Sequence, residues 1–233
     1  MRIALISDIH GNLPALEEVL KSTVSYKADV LYCLGDTVGY GPFPNECVEL
    51  VRKHCLVALK GNHDSGLLGE TPIEDFNHYG LSAIQWSQSV ATEEVKEYLR
   101  GLTVKTEVNG ITLAHSSPLN PEAWTYILTM RLARENFEAY TTRLCFVGHT
   151  HVPIVIGEDG TINKYSLALR SIINVGSVGQ PRDENEKAAY GLYDTETGAY
   201  ELIRVAYDIQ RTARAIREVG LPEFLAQRLF QGS

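Results

Sequence analysis

The 233-residue chain has no C-x-x-C pair, no basic stripe and no long apolar run. Its four cysteines, Cys33, Cys47, Cys55 and Cys145, each sit in or beside an apolar stretch. Free cysteines in such settings behave as small buried hydrophobes, so these are expected to be reduced core thiols rather than ligands or bridges. That expectation points to a cytoplasmic compartment. Bases are scarce, with 21 Lys and Arg against 29 acids and a formal net charge of −8. An acidic surface repels a phosphate backbone, so no stable nucleic-acid binding is expected. No segment reaches the roughly 18–20 apolar residues of a membrane span, and no membrane association is expected. The apolar start Met1–Ile6 meets Ser7-Asp8 too soon to form the core of a secretory leader. Internal repeats, low-complexity tracts and linkers are missing as well. With 44% hydrophobic residues, the chain reads as one domain over 1–233 with a sizeable core.

Short apolar runs alternate with helical patterns in the first half. Ile3–Ile6, Val30–Leu34 and Leu56–Leu59 read as buried strands. Between the first two, Leu13, Leu16, Val19 and Leu20 recur at helical spacing, behind a capping Asn12 and a first-turn Pro14. Cys47, Val48 and Val51 follow Pro44 in the same way. Such alternation predicts a parallel sheet with helical crossovers. Residues 65–106 read as a mostly helical, cap-like segment. Strands at Ile111–Ala114 and Leu144–Val147 flank a helix around Met130–Tyr140. Four later strands, Val152–Ile156, Ser171–Val175, Ala188–Tyr193 and Tyr200–Ala206, alternate with turn signals such as Asp159-Gly160 and Thr197-Gly198. They predict a second, mainly antiparallel sheet. Residues 208–230 read as one amphipathic helix, free to pack on its own domain or on a partner, so no oligomeric state follows.

The chemistry-bearing residues recur at strand ends. Ile3–Ile6 is followed by Asp8 and His10, and Val30–Leu34 by Gly35 and Asp36. Leu56–Leu59 is followed by Gly61, Asn62, His63 and Asp64. Ile111–Ala114 ends at His115, and Leu144–Val147 leads into Gly148, His149, Thr150 and His151. Carboxyl ends of parallel strands are where open sheets place ligands, so these residues are expected to converge. Five of the seven histidines belong to the set; His54 and His78 do not. Carboxylates, an amide oxygen and imidazoles, with no thiolate, suit six-coordinate Mn²⁺, Fe²⁺ or Zn²⁺ rather than a closed structural zinc. Seven ligands are too many for one ion that keeps an open position. They suit two divalent ions bridged by a carboxylate, which lower the pKa of a shared water and hold phosphate oxygens.

The series Asp8-Ile9-His10, Gly35-Asp36, Gly61-Asn62-His63-Asp64, His115 and Gly148-His149-Thr150-His151 resembles the calcineurin-like metallophosphoesterases. The resemblance extends from residue 1 to about 195. It implies an α/β fold, a four-layer αββα sandwich of two mixed β-sheets flanked by helices. It also implies roles. Asp8, His10 and His151 would bind one metal, Asn62, His115 and His149 the other, and Asp36 would bridge them. His63 is similar to the family's non-ligand histidine, which contacts phosphate and can protonate the leaving oxygen.

One departure narrows the reading. The Ser/Thr phosphoprotein phosphatases of this superfamily carry G-D-x-V-D-R-G, whereas this chain reads Gly35-Asp36-Thr37-Val38-Gly39-Tyr40-Gly41. The Asp and Arg of that motif are missing, which disfavours a protein phosphatase. The run Gly35–Pro44, and Asn174–Asp183 with it, resembles the small prokaryotic phosphodiesterase and diadenosine tetraphosphatase-like branch. Arg182 could clamp a second phosphate, and Tyr40 could stack on a base or pack its loop. The leading expectation is hydrolysis of small phosphodiesters or nucleotides by a metal-bridging hydroxide. Its alternatives are a diadenosine tetraphosphate hydrolase, a nuclease, and a catalytically silent binding scaffold on the same fold.

Overall fold

Side chains in the first strand alternate between two cores. Ile3 and Leu5 face one hydrophobic cluster, and Ala4 and Ile6 face another. A strand buried on both faces belongs inside a layered structure rather than on its surface. The computed structural model describes residues 1–74 and 76–233. Its strands are β1 (Arg2–Ile6), β2 (Val30–Cys33), β3 (Val57–Ala58), β4 (Lys105–Val108), β5 (Ile111–Ala114), β6 (Leu144–Val147), β7 (Ile154–Gly157), β8 (Ser171–Asn174), β9 (Ala188–Asp194) and β10 (Tyr200–Val205). The helices are α1 (Leu13–Ser25), α2 (Pro44–His54), α3 (Asn62–Leu68), α4 (His78–Val90), α5 (Glu93–Arg100), α6 (Met130–Phe137), α7 (Ile209–Glu218) and α8 (Glu223–Gln227).

The strands form two five-stranded mixed sheets, ordered β10-β9-β1-β2-β3 and β4-β5-β6-β8-β7. β1, β2 and β3 run parallel, as do β5, β6 and β8, while the outer strands pair antiparallel. The inner faces meet through Ile3, Leu5, Tyr32, Leu34 and Leu59 on one side and Leu113, Leu144, Phe146, Ile173 and Val175 on the other. Helices α1 and α2 cover the outer face of the first sheet, with Leu16, Val19 and Val51 packed on Ala4, Ile6 and Tyr190. Phe137 of α6 covers Cys145, Val147 and Ile172 on the second. This is the expected four-layer α/β arrangement. The two parallel cores place the carboxyl ends of β1, β2, β3, β5 and β6 along one rim.

Local signals explain the helix starts. Asn12 accepts a hydrogen bond from Ala15 N at 3.3 Å and Pro14 occupies the first turn of α1, the arrangement that satisfies orphan N–H groups. Thr92, Thr129 and Asp208 cap α5, α6 and α7 in the same way.

Three expectations change. The four late strands do not form a sheet of their own. β7 and β8 join the second sheet, and β9 and β10 join the first. The connection after β8 crosses the rim, where Val178 N donates to Ser7 O at 3.0 Å and Gly179 N to Asp8 O at 2.9 Å. The crossing delivers β9 antiparallel to β1. Strand spacing reveals turns but not partners. The segment 65–106 is helical except at its end, where Lys105 begins β4 and a hairpin with β5. The expected helix over 208–230 breaks at Gly220-Leu221-Pro222, with Gly220 at φ 75. Proline there ends one helix and allows α8 to fold back.

Candidate metal centre

Side chains from five loops meet at the rim. Asp8, His10, Asp36, His63, His115, His149 and His151 are all buried, and Asn62 is half-buried. Three groups have ligand atoms lying mutually within 4.8 Å: Asp8, His10 and His151; His10, Asp36 and His63; and Asp36, His115 and His149. His10 Nε2 lies 3.0 Å from His151 Nε2, and His151 Nε2 lies 3.2 Å from Asp8 Oδ1. On the other side His115 Nε2 lies 3.3 Å from Asn62 Oδ1. Asp36 Oδ2 stands between the two groups, 3.6 Å from His10 Nε2 and 3.4 Å from His115 Nε2.

Tautomers are set by the surrounding main chain. His10 Nδ1 faces Val38 O at 3.0 Å, His115 Nδ1 faces Leu34 O at 3.0 Å, and His151 Nδ1 faces Gln180 O at 2.6 Å. A carbonyl only accepts, so each Nδ1 carries a proton and donates, and Nε2 of the neutral ring directs a lone pair into the centre; for His115 that lone pair is freed only when the proton held by Asp36 leaves. His149 is reversed: Nε2 donates to Trp124 O at 2.7 Å, which leaves Nδ1 as the lone-pair nitrogen. Outer carbonyls of this kind orient metal-binding histidines.

The donor set fits divalent cations. Around an ion with bonds of about 2.1 Å, neighbouring octahedral donors lie about 3.0 Å apart, close to the spacings found. Two imidazole lone pairs at 3.0 Å repel unless a cation or proton lies between them. Asp8, His10 and His151 could hold one ion, and Asn62, His115 and His149 a second, with Asp36 shared.

Backbone strain concentrates here. Asp8, His10, Asp36, His149 and His151 have φ values of 54, 50, 54, 68 and 62. Non-glycine residues rarely adopt this left-handed region, which costs about 1–3 kcal/mol and persists where surroundings over-determine it. Close approach supplies part of that determination. A Cβ on Gly61 would overlap Asp36 Oδ1, and one on Gly148 would overlap Ser7 Oγ.

Electrostatics follow from burial and pairing. Burial pushes the imidazoles of His63 and His149 down to about 4 and about 3. Burial, and behind it the charge of Arg182, lowers His151. His115 moves the other way. Burial opposes its charge, but Asp36, with Asp8 and Asp64 behind it, lifts it to about 9. Burial works against Asp36 as a carboxylate, and His115 and His63 nevertheless hold it well below the usual range.

All seven expected ligands are therefore brought together, and His63 stands beside them. Its ring lies 4.7 Å from that of His10 and 4.5 Å from that of Tyr40. His63 Nδ1 is buried without a hydrogen-bond partner, and its main-chain N donates to Asp36 Oδ1 at 2.8 Å. Arg182 sits on the rim, where Nη2 donates to Gln180 Oε1 at 3.0 Å and to Tyr40 Oη at 3.4 Å. Asn12 stays away from the centre. Besides capping α1 it donates to Gly179 O at 2.8 Å and accepts from Thr212 Oγ1 at 2.8 Å.

Four contributors carry no role that the sequence alone assigns. Asp64 accepts from Gly61 N, Thr37 N and Val38 N at 2.9, 3.0 and 3.1 Å, tying the Asp36 loop to α3. Burial, then Asp36, pushes its carboxyl up to about 7. Its place in Gly61-Asn62-His63-Asp64 was a visible signal. Gln180 and Trp124 act through main-chain carbonyls, which no side-chain pattern announces. Tyr126 stacks on His149, with 3.9 Å between ring centroids, from a loop without periodicity.

Comparison with known proteins agrees with this geometry. Residues 1–198 match the model of the calcineurin-like phosphoesterase superfamily domain. An uncharacterized protein of Methanocaldococcus jannaschii is 40% identical over 240 residues, covering 99% of this chain and 98% of that one. Phosphodiesterase YfcE of Escherichia coli is 28% identical over 207 residues, covering 84% of this chain and 89% of its own length. Among solved structures, a metallophosphoesterase from Sphaerobacter thermophilus superposes with a TM-score of 0.90 at 40% identity, covering 100% of this chain and 99% of that one.

Proposed function

The chain belongs to the calcineurin-like phosphoesterase superfamily, and from that premise we propose that it hydrolyses small phosphodiesters or nucleotides at a centre of two divalent cations. One observation carries the proposal. Asp36 Oδ2 lies 3.6 Å from His10 Nε2 and 3.4 Å from His115 Nε2, between two groups of lone-pair donors. A single carboxylate oxygen in that position suits a shared ligand. In this reading Asp8, His10 and His151 would hold one ion, Asn62, His115 and His149 would hold the other, and Asp36 would serve both. Such ions, when bound, supply Lewis acidity toward phosphoryl oxygens and a lowered water pKa near neutral pH.

The chain's own residues do the rest. Main-chain carbonyls fix the ring tautomers, so no proton has to leave Nε2 of His10 or His151 before binding. His63 would contact the phosphate and, once protonated, pass that proton to the departing oxygen and return to the neutral ring. Burial holds its imidazole down to about 4 in the free protein, so the negative charge of a bound phosphate would be what stabilises the imidazolium. Arg182 and Tyr40 form a wall toward which the ester's substituent would point. The similarity to a relative named as a phosphodiesterase supports diesters over monoesters. Mn²⁺, Fe²⁺ and Zn²⁺ all suit these ligands, and supply often decides among such ions.

The first test is turnover of bis(p-nitrophenyl) phosphate with Mn²⁺. Failure on diesters and monoesters with each of Mn²⁺, Fe²⁺, Co²⁺, Ni²⁺ and Zn²⁺ would overturn the reading.

A further inference from the structure

The C-terminal segment returns to the metal centre. Residues 199–233 lie beyond the matched superfamily domain, yet α8 and the 3₁₀ turn Arg228–Phe230 pack beside Tyr40 with Ala83, Ile216 and Leu225. Phe224 stacks on Tyr79 of α4 at 4.3 Å between centroids. That packing sets Arg228 Cζ 5.9 Å from the Tyr40 ring centroid, while Arg182 Cζ lies 5.7 Å from the same centroid. The Tyr40 ring itself is 4.7 Å from His10 and 4.5 Å from His63. Two guanidinium groups thus share one aromatic ring at the edge of the catalytic pocket.

Neither arginine is paired with an Asp or Glu side chain among the described residues. The adjacent Asp183 does not neutralise Arg182, because Arg204 holds it in an ion pair. Arg182 Nε is buried with no hydrogen-bond partner, and Arg182 N donates to His151 O at 3.3 Å, which anchors it to a proposed ligand. Arg228 spends Nε on the main-chain oxygen of Ser233, and Nη1 and Nη2 have no partner among the described residues. Burial, and then the like charge of Arg182, pulls Arg228 down to about 10, so it stays charged at neutral pH. Contact with an aromatic face offsets part of the desolvation of one cation. It does not offset repulsion between two, which an intervening anion relieves through charge-assisted hydrogen bonds.

We propose that Arg182 and Arg228 together form a second anion subsite beside the metal centre, and that the substrate carries a second phosphoryl group next to the scissile one. The inference rests on the phosphoesterase reading and deepens it. It assigns the C-terminal segment the task of selecting the substrate. Arg228 is supplied from beyond the matched superfamily domain and Arg182 from within it, so the subsite joins the two parts of the chain.

The test compares Arg228→Met and Arg182→Met, which keep the aliphatic packing and remove the charge, with Arg228→Lys. Steady-state kinetics on diadenosine tetraphosphate and on bis(p-nitrophenyl) phosphate give a selectivity ratio of the two kcat/KM values. Each Met variant is expected to lower that ratio at least tenfold, through KM for the tetraphosphate, with Arg228→Lys in between. A ratio within twofold of wild type, with both substrates affected equally, would mean a packing role and overturn the subsite. Calorimetry with adenosine 5′-(α,β-methylene)diphosphate in EDTA reads the same pair without turnover. A Kd at least fivefold weaker in Arg228→Met supports the subsite. An unchanged Kd, or no binding by wild type, overturns it. If wild type cleaves neither substrate, the phosphoesterase reading fails separately, and the calorimetric result still decides the subsite.

Discussion

The Nε2 atoms of His10 and His151 face each other at 3.0 Å, each with its Nδ1 committed to a main-chain carbonyl. The rings come from loops after different sheets, so the contact joins the two halves of the rim. With both Nε2 atoms unprotonated the contact is repulsive, and a cation bound between them would make it attractive.

Metal removal should therefore destabilise the folded protein. Ligand linkage gives about 2.7 kcal/mol for each site filled at one hundred times its Kd. Chelation with EDTA is expected to lower Tm by several degrees, and Mn²⁺ to restore it. A Tm insensitive to both would show that the lone pairs are satisfied by protons instead.

Asp36→Ala should empty both positions, because one oxygen serves both groups. Elemental analysis is expected to show less than one ion per chain, with kcat/KM down by more than the 10–100-fold typical of losing an outer-shell partner. Retention of two ions by this variant would refute the bridging role.

His63→Ala should leave metal content at the wild-type level and lower kcat by roughly 10²–10⁴, the usual contribution of a positioned proton donor. Loss of an ion on elemental analysis would place His63 among the ligands instead.

These site residues were legible because each follows an apolar strand run, and a strand's end is a fixed point in space. Asp8, His10, Asp36, His115, His149 and His151 all lie within four residues of such a run. The sandwich was legible only through the family resemblance. Periodicity locates β9 and β10, but their pairing with β1 rather than with β7 and β8 depends on the crossing at Val178 and Gly179. Trp124 and Tyr126 were illegible because the loop holding them has neither period nor motif. Arg228 was hidden in a presumed continuous helix, and the break at Gly220-Leu221-Pro222 is what turns it toward Tyr40.

Asp64→Ala tests the loop tie. Three buried N–H groups would lose their acceptor, and a buried donor left unsatisfied costs about 1–3 kcal/mol. Urea unfolding is expected to show a loss of about 3 kcal/mol or more in metal-free protein. A loss under about 1 kcal/mol would mean that water replaces the carboxylate.

The thiols predict an alkaline weakness. Burial pushes Cys33 and Cys145 up to about 12 and raises Cys47 and Cys55 as well. An unfolded thiol ionises near 8.5, so above that pH the unfolded state binds fewer protons than the folded state. Stability is then complete below about pH 8.5 and declines as pH rises toward 12. Ellman's reagent at pH 8 should reach Cys33, Cys47 and Cys145 of the native protein only at the unfolding rate, with half-buried Cys55 reacting first. Immediate reaction of all four thiols would contradict the burial.

The pairing of Arg2 with Asp194 across β1 and β9 imposes an order on synthesis. A nascent chain acquires the whole of its proposed cation-binding set once His151 leaves the ribosome, while one side of β1 still lacks the neighbour that covers it. Open strand edges invite pairing with other chains, and long-range pairings form late. Translation stalled between these points would leave a polypeptide able to capture metal yet prone to aggregate.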